Sequence, residues 1–512
     1  MKIMSQAVFS GETNLLLLLL LTIIPFLFYI LKQFKTFLIS KSPSIPPGPF
    51  PWPIIGNILQ IGNEPHLNLT SLAQTYGPLI SLRSGNQLLI VGSSPTAAME
   101  ILKKQDRNLS GRHVPHVTPA KDLELNKLSL GWAMECNDYW RNLRTLCQGE
   151  LFSSKAMRSQ ACIREKKVME MLEFIGKMEG QVVNIRDLVS AVVFNMLGNI
   201  MVSRDLIDLG DESLNIGEMN KLVWEIVEVV SIPNISDLYP ILGPLDLQGL
   251  RKKYMKLHER SQKIWGEIIK ERKEMGKTGN ASSQKDFLDA LIDTGCPEEQ
   301  VNILFLELFI AGTGTSSSVI EWTLAELIRN PRCLKIVEDE LSRVIYEDFI
   351  TEIHTSNLTY LQACIKEAMR LYPTSPFLLP HRAVESCQVM NYTIPKDSMI
   401  LVNIWAIGRD PNYWEDPLVF KPERFINSSL DFKGNDFQFI PFGSGRRMCP
   451  GAAMATKHVS LIVASLIHSF DWSLPQGKDP KDMNMNGKYG IDMVKEEPLL
   501  LIPKTKSEGK DC

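Results

Sequence analysis

The sequence lacks a basic excess: 55 Lys and Arg face 58 Asp and Glu, for a formal net charge of -3. A nucleic-acid binder carries a basic face, so this balance argues against that class. The nine cysteines (Cys136, Cys147, Cys162, Cys296, Cys333, Cys364, Cys387, Cys449 and Cys512) are odd in number and scattered, with no CxxC or CxxH pair. That pattern argues against a disulfide framework or a zinc site and suits a reducing compartment. No internal repeat is present, so a solenoid is excluded, and no low-complexity block exists beyond one leucine run. No glycine-rich flavin or nicotinamide fingerprint occurs, so any redox equivalents must come from another protein. The interior shows no composition break that would divide it into several domains.

What is present begins with an uncharged run, Leu15 to Leu31, that opens on seven consecutive leucines. At seventeen residues it reaches the lower limit for a bilayer span. No small-x-small cleavage site follows it; Lys32, Lys35 and Lys41 do, against Lys2 alone before it. By the positive-inside rule the remainder of the chain lies in the cytosol. Residues 1–41 are therefore expected to be a membrane anchor with its basic flank, 42–53 a proline-rich hinge, and 54–512 a single globular domain. Under that topology the sequons at Asn68 and Asn234 stay unmodified.

Leu79 to Val91 reads as a hairpin turning at Gly85-Asn86. Lys396 to Asn403 and Leu499 to Ile502 read as short strands, and most of 94–475 has helical period. The fold class is thus mainly α with a small β part. One helix is expected from Pro297, at a first-turn position with Glu298 and Glu299, to Asn330. Its middle, Ala311-Gly312-Thr313-Gly314-Thr315-Ser316, is poor helix material, since each glycine costs about 0.5–1 kcal/mol relative to alanine. Such a local inconsistency marks a candidate functional site.

The most specific segment is Phe442-Gly443-Ser444-Gly445-Arg446-Arg447-Met448-Cys449-Pro450-Gly451. Its glycines allow tight turns and close approach to a flat ligand, and Arg447 offers a fork for a carboxylate. Cys449 precedes an apolar helix expected from Pro450 to Phe470, whose positive end favours thiolate over thiol. This segment is identified as the F-x-x-G-x-R-x-C-x-G haem-binding signature of the cytochrome P-450 family. Glu367-Ala368-Met369-Arg370 resembles the family's E-x-x-R helix, and Pro422-Glu423-Arg424-Phe425 follows in the expected order.

That resemblance covers the chain from anchor to C-terminus and implies a P-450 fold behind one N-terminal transmembrane helix. It implies haem b with Cys449 as the iron ligand, where a thiolate favours O–O cleavage. Phe442, Gly445 and Arg447 would belong to the haem site. Trp140 and Arg144 resemble the helix that holds haem propionates, and His381 stands where many relatives place a propionate-binding arginine. Glu367, Arg370 and Arg424 would form a buried structural network. Electrons would come from NADPH through a separate membrane reductase, which Arg141, Arg446 and Lys457 would meet, giving a strongly salt-dependent reduction. The location implied is the endoplasmic reticulum membrane, single-pass, with the catalytic part cytosolic.

Further residues, such as Pro380-His381-Arg382 and Phe437 to Gly445, resemble the plant alkaloid-oxidising branch, which includes berbamunine synthase, N-methylcoclaurine hydroxylase, corytuberine synthase and littorine mutase. This implies oxidation of a benzylisoquinoline or tropane alkaloid by hydroxylation, phenol coupling or rearrangement. The substrate would be cationic and aromatic, with Asp122, Glu124 or Glu307 as partner for its amine. The pocket is expected from the 109–130 loop, the helix from Glu307 to Thr315, and Thr374 to Leu379, with Phe377 and Leu378 facing the haem. The sequence departs from the family at Gly314, where the motif of the long helix carries an acid; Ala311, Gly312 and Thr315 match. That gap keeps open an isomerase or dehydratase needing no external oxygen; a monooxygenase of a terpenoid or phenolic and a non-enzymatic haem sensor are further alternatives.

Overall fold

The structure is a computed structural model that describes residues 44–118, 128–209, 218–277, 285–347 and 349–506. The expected anchor at 1–41, and with it Asp122 and Glu124, lies outside the described residues. Helices dominate, with small sheets at the edges.

Five helices build the site: α1 (Asp138–Cys147), α2 (Ile185–Val202), α3 (Glu298–Arg329), α4 (Thr359–Leu371) and α5 (Ala452–Ser469). Short polar residues start the first two. The Asn137 side chain accepts from the Trp140 amide, and Asn184 accepts from the Asp187 amide. Helix α3 runs as expected, with two acids in its first turn and Arg329 in its last, although Pro297 is the cap rather than the first turn. At ~1.5 Å per residue its 32 residues make a rod of about 48 Å.

Helices α2 and α3 are long and apolar enough to cross a membrane, yet both lie largely buried inside the protein. They pack on each other through Phe194 and Phe309, whose rings are 4.6 Å apart. Gly312 permits this: a Cβ there would lie 2.8 Å from Leu197 Cδ1. One of the two helix-weakening glycines is thus explained by close packing.

The principal sheet has β1 (Leu79–Ser84), β2 (Gln87–Gly92), β3 (Gly111–Arg112), β4 (His381–Arg382) and β5 (Met399–Val402) in the order β1-β2-β5-β4-β3. The hairpin turns at Gly85-Asn86 as expected, with Ser84 opposite Gln87. Strand β5 then adds parallel to β2, Leu89 facing Met399. Part of the proline segment is fastened to this sheet. The Ser81 amide donates to the Pro47 carbonyl at 2.9 Å, and the Ser81 hydroxyl to the Pro46 carbonyl at 2.6 Å. Proline lacks a donor but keeps its acceptor, so such a strap can still be stitched down.

Candidate active site

The cysteine loop ends on α5, which starts at Ala452. Gly445 has φ +71°, and a Cβ there would run into the Leu102 carbonyl. Only glycine makes this turn without strain. Gly445 is outside the cavity wall, whereas Phe442, Gly443, Arg447 and Cys449 line it. The Cys449 amide donates to the Phe442 carbonyl at 3.0 Å, which closes the loop over the thiol. Burial raises the Cys449 thiol above its ordinary value, while the Gly451 amide and Arg144 favour the thiolate, which coordination to a metal would complete.

Above Cys449 is a cavity of about 390 Å³, lined mostly by apolar side chains. Its roof is α3, where Ala311 is exposed between partly buried neighbours; the open space beside it is the cavity. Gly312 and Thr315 also line it. The Thr315 hydroxyl donates to the Ala311 carbonyl at 2.7 Å, so its lone pairs face the cavity free to accept.

Three arginines and a histidine crowd one side of the cavity. Arg112 on β3 donates to the Gly131 and Leu379 carbonyls, Arg144 to the Met448 carbonyl, and Arg447 to the Ser110, Leu130 and Ala133 carbonyls. Apart from the Cys136 thiol beside Arg447, their hydrogen bonds go to neutral carbonyls. Trp140 orients two of them, with Arg447 at 4.7 Å and Arg144 at 5.6 Å from its ring centre. Its own N–H is spent on the Leu130 carbonyl at 2.8 Å. Burial, then Arg447, pushes Arg112 down to about 9. Burial, then Arg112, drives His381 well below its usual range, while its Nδ1 meets the Leu109 carbonyl at 2.7 Å.

These guanidiniums, with Glu307 as a nearby acid for Arg447, are still under-compensated, which is costly unless an anion arrives. A flat cofactor with two carboxylates on one edge and a metal over the cysteine meets that need. The residues present therefore fit haem: Cys449 would hold its iron, and Arg112, Arg144, Arg447 and His381 its propionate edge. Arg112 was missed in the sequence, because a lone arginine in a two-residue strand carries no pattern.

Glu367 lies on α4 with both oxygens on Arg370, at 2.7 Å each, and Arg424 joins at 3.1 Å. Arg370 also donates to the Gly408 and Pro417 carbonyls and lies 5.0 Å from the Trp414 ring centre. This fixes the segment that carries Pro422 to Phe425 against α4.

Three expectations need correction. Phe377 does not face the cavity; it packs against Leu69, Ile80, Leu82, Leu89 and Val91 under the sheet. Leu378, with φ +56°, turns the chain there and does line the cavity. Glu307 lines the cavity but is committed to the wall: it accepts from the Ser129 hydroxyl and from the Leu130 and Gly131 amides at 2.9 and 3.2 Å. Gly314 is not in the lining. A Cβ on it would lie 2.7 Å from Asp492 Oδ2, and it is Asp492 that lines the cavity.

Asp492 arrives from a C-terminal hairpin, Gly487–Lys488 paired with Val494–Lys495. The hairpin is pinned at Met493, whose amide donates to the Thr374 carbonyl at 2.7 Å and whose carbonyl accepts from the buried Ser318 hydroxyl at 2.7 Å. Sequence reasoning missed Asp492, since nothing local distinguishes it from a surface acid.

A mainly α-helical fold with a cysteine lining an apolar cavity, flanked by arginines bonded to backbone carbonyls, defines a haem-thiolate oxidase class. The family model described as Cytochrome P450 matches residues 46–502. The chain is 47% identical to (S)-N-methylcoclaurine 3'-hydroxylase isozyme 1 of Papaver somniferum, over 91% of this chain and 96% of that one. It is 44% identical to corytuberine synthase of Coptis japonica, over 93% and 98%. A solved zebrafish cytochrome P450 with progesterone superposes with a TM-score of 0.73 at 25% identity, covering 86% of this chain and 99% of that one. The chain belongs to the cytochrome P450 family and is a monooxygenase of that kind, which implies haem and a redox partner.

Proposed function

We propose that this chain oxidises a benzylisoquinoline alkaloid, by hydroxylating an aromatic ring, with electrons passed from NADPH through a separate membrane reductase. The relatives carry the substrate class: the hydroxylase named for N-methylcoclaurine matches nearly the whole chain. The cavity is the observation that carries the site, an apolar chamber of about 390 Å³ enclosing Cys449 and Thr315. The bound haem would supply activated oxygen at its iron. The chain's own part is to place the ring near that point, to exclude water with apolar walls and to offer the Thr315 hydroxyl for proton handling. The arginine cluster would hold the cofactor's carboxylates and take no part in the proton handling.

An exposed apolar surface supports a membrane-facing orientation. Phe50, Trp52, Ile54, Ile241, Leu245 and Leu247 are all solvent-exposed, and the Tyr239 hydroxyl joins the two stretches by donating to the Ile54 carbonyl at 3.0 Å. Aromatic and aliphatic side chains presented together suit the bilayer interface. This face and the apolar run at 15–31 support association with a membrane, which we take to be that of the endoplasmic reticulum.

The test is turnover in microsomes with a plant reductase, NADPH and labelled dioxygen, offered (S)-N-methylcoclaurine. A product heavier by one labelled oxygen is expected. A product that has lost two hydrogens without label replaces hydroxylation by phenol coupling, and no product from any benzylisoquinoline overturns the substrate class.

A further inference from the structure

The cavity has two carboxyl groups, and they differ in what they are already doing. Glu307 is saturated by the Ser129 hydroxyl and two backbone amides. Asp492 is half-buried, its open side is the cavity, and its carboxyl accepts no hydrogen bond among the described residues. A carboxyl with neither a donor nor a cation inside an apolar chamber is expensive. Proteins keep such a group where a ligand supplies the missing partner.

The room for it is made elsewhere in the sequence. Oδ2 occupies the space that any side chain at position 314 would need, since a Cβ there would lie 2.7 Å away. Gly314 therefore does more than omit an acid from the helix; it admits one from the opposite hairpin. The Met493 bonds to Thr374 and Ser318 hold that hairpin in register, so the carboxyl is aimed rather than mobile. Burial, with no charged neighbour contributing, pushes the Asp492 carboxyl up to about 7, so its charged form lacks a compensating partner there.

We infer that Asp492 is the substrate's ammonium anchor: it pairs with the protonated ring nitrogen of the alkaloid and, with Gly314 leaving space, sets which ring end points to Cys449. This rests on the alkaloid reading above and deepens it from a substrate class to the group that recognises the charge.

The experiment titrates the haem-loaded enzyme with two ligands, followed by haem absorbance and by calorimetry. One is (S)-N-methylcoclaurine, a cation at neutral pH; the other is N-formylcoclaurine, whose ring nitrogen is an uncharged amide. Wild type is expected to prefer the amine by about tenfold or more. In Asp492→Asn the amine's Kd is expected to rise about 30-fold (about 2 kcal/mol at 1.4 kcal/mol per tenfold), with the amide's Kd within about twofold. The retained amide affinity shows an intact pocket. If the variant does not fold, the wild-type preference alone decides, and its absence overturns the inference. Equal weakening of both ligands, or no weakening, also overturns it while leaving the alkaloid reading in place. Failure of wild type to bind either ligand brings down both.

Discussion

Arg112 and His381 stand opposite each other in register on β3 and β4, and both reach the cavity with only carbonyls as partners. A short sheet edge thus holds two groups that prefer an anion, next to Arg447. Replacing Arg112 by Leu removes a buried cation that the cofactor's carboxylate would compensate. The expected result is a several-fold fall in the haem-to-protein ratio after purification, from a charge-assisted bond of about 1.5–3 kcal/mol. Unchanged haem retention in Arg112→Leu would refute the assignment of this edge to the propionates.

The Glu367 carboxylate is wholly buried, and so is the Arg370 side chain it pairs with. Removing one partner of such a pair leaves the other uncompensated, at a cost of about 3–5 kcal/mol. Glu367→Ala is therefore expected to yield little folded protein, read as lost cooperative thermal unfolding. Arg424→Ala, at a partly solvated edge of the same network, should cost about 1–2 kcal/mol and still give a folded enzyme. Equal effects of the two would contradict a graded network.

Cys449, the long helix and the small β part were legible because their signals are local: a glycine-spaced loop, a long apolar run and an alternating hairpin. Arg112 and Asp492 were not legible, because each matters only through a neighbour far away in sequence. Arg112 meets His381 by strand pairing, and Asp492 meets Gly314 across a chamber. Phe377 misled for a similar reason. Its neighbour Leu378 takes a positive φ and lines the cavity, while the phenyl ring packs under the sheet against residues distant in sequence.

Asp492 also makes the ligand-free enzyme sensitive to pH. Its carboxyl is raised to about 7 from an ordinary 3.8, so the folded chain holds that proton more tightly than the unfolded chain does. The stability it contributes is present at low pH and is lost as pH rises through the window from about 4 to 7. Asp492→Asn has no such loss. The melting temperature of the variant relative to wild type should therefore climb between pH 5 and 8, by the equivalent of about 1–2 kcal/mol after allowing for water in the cavity. A constant difference would contradict the raised carboxyl.

The three basic residues expected to meet a reductase are each matched by an acid: Arg141 with Asp138, Arg446 with Asp106 at 2.8 Å, and Lys457 with Glu352 at 2.8 Å. The surface they form is less positive than the sequence suggested. Reduction by the reductase is then expected to slow roughly two- to fivefold between about 0.05 and 0.5 M salt, rather than collapse. Arg446→Ala should slow reduction at low salt and flatten its salt dependence, because it removes a positive charge and leaves Asp106 without its ion-pair partner; stopped-flow reduction at several salt concentrations reads both. A flat response would remove electrostatic docking from this face.

Gly314 and Asp492 should behave as one unit under mutation. An aspartate restored at position 314 would bring a second carboxyl into the space that Asp492 fills, where two like charges repel at short range. Gly314→Asp alone is expected to lower thermal stability and amine binding together, because Asp492 and its hairpin must give way. Gly314→Asp combined with Asp492→Ala relieves the clash, so stability should recover, with a coupling of about 0.5–3 kcal/mol in the double-mutant cycle. Additive effects would mean that the 2.7 Å approach between the two positions carries no energy and that the glycine was kept for another reason.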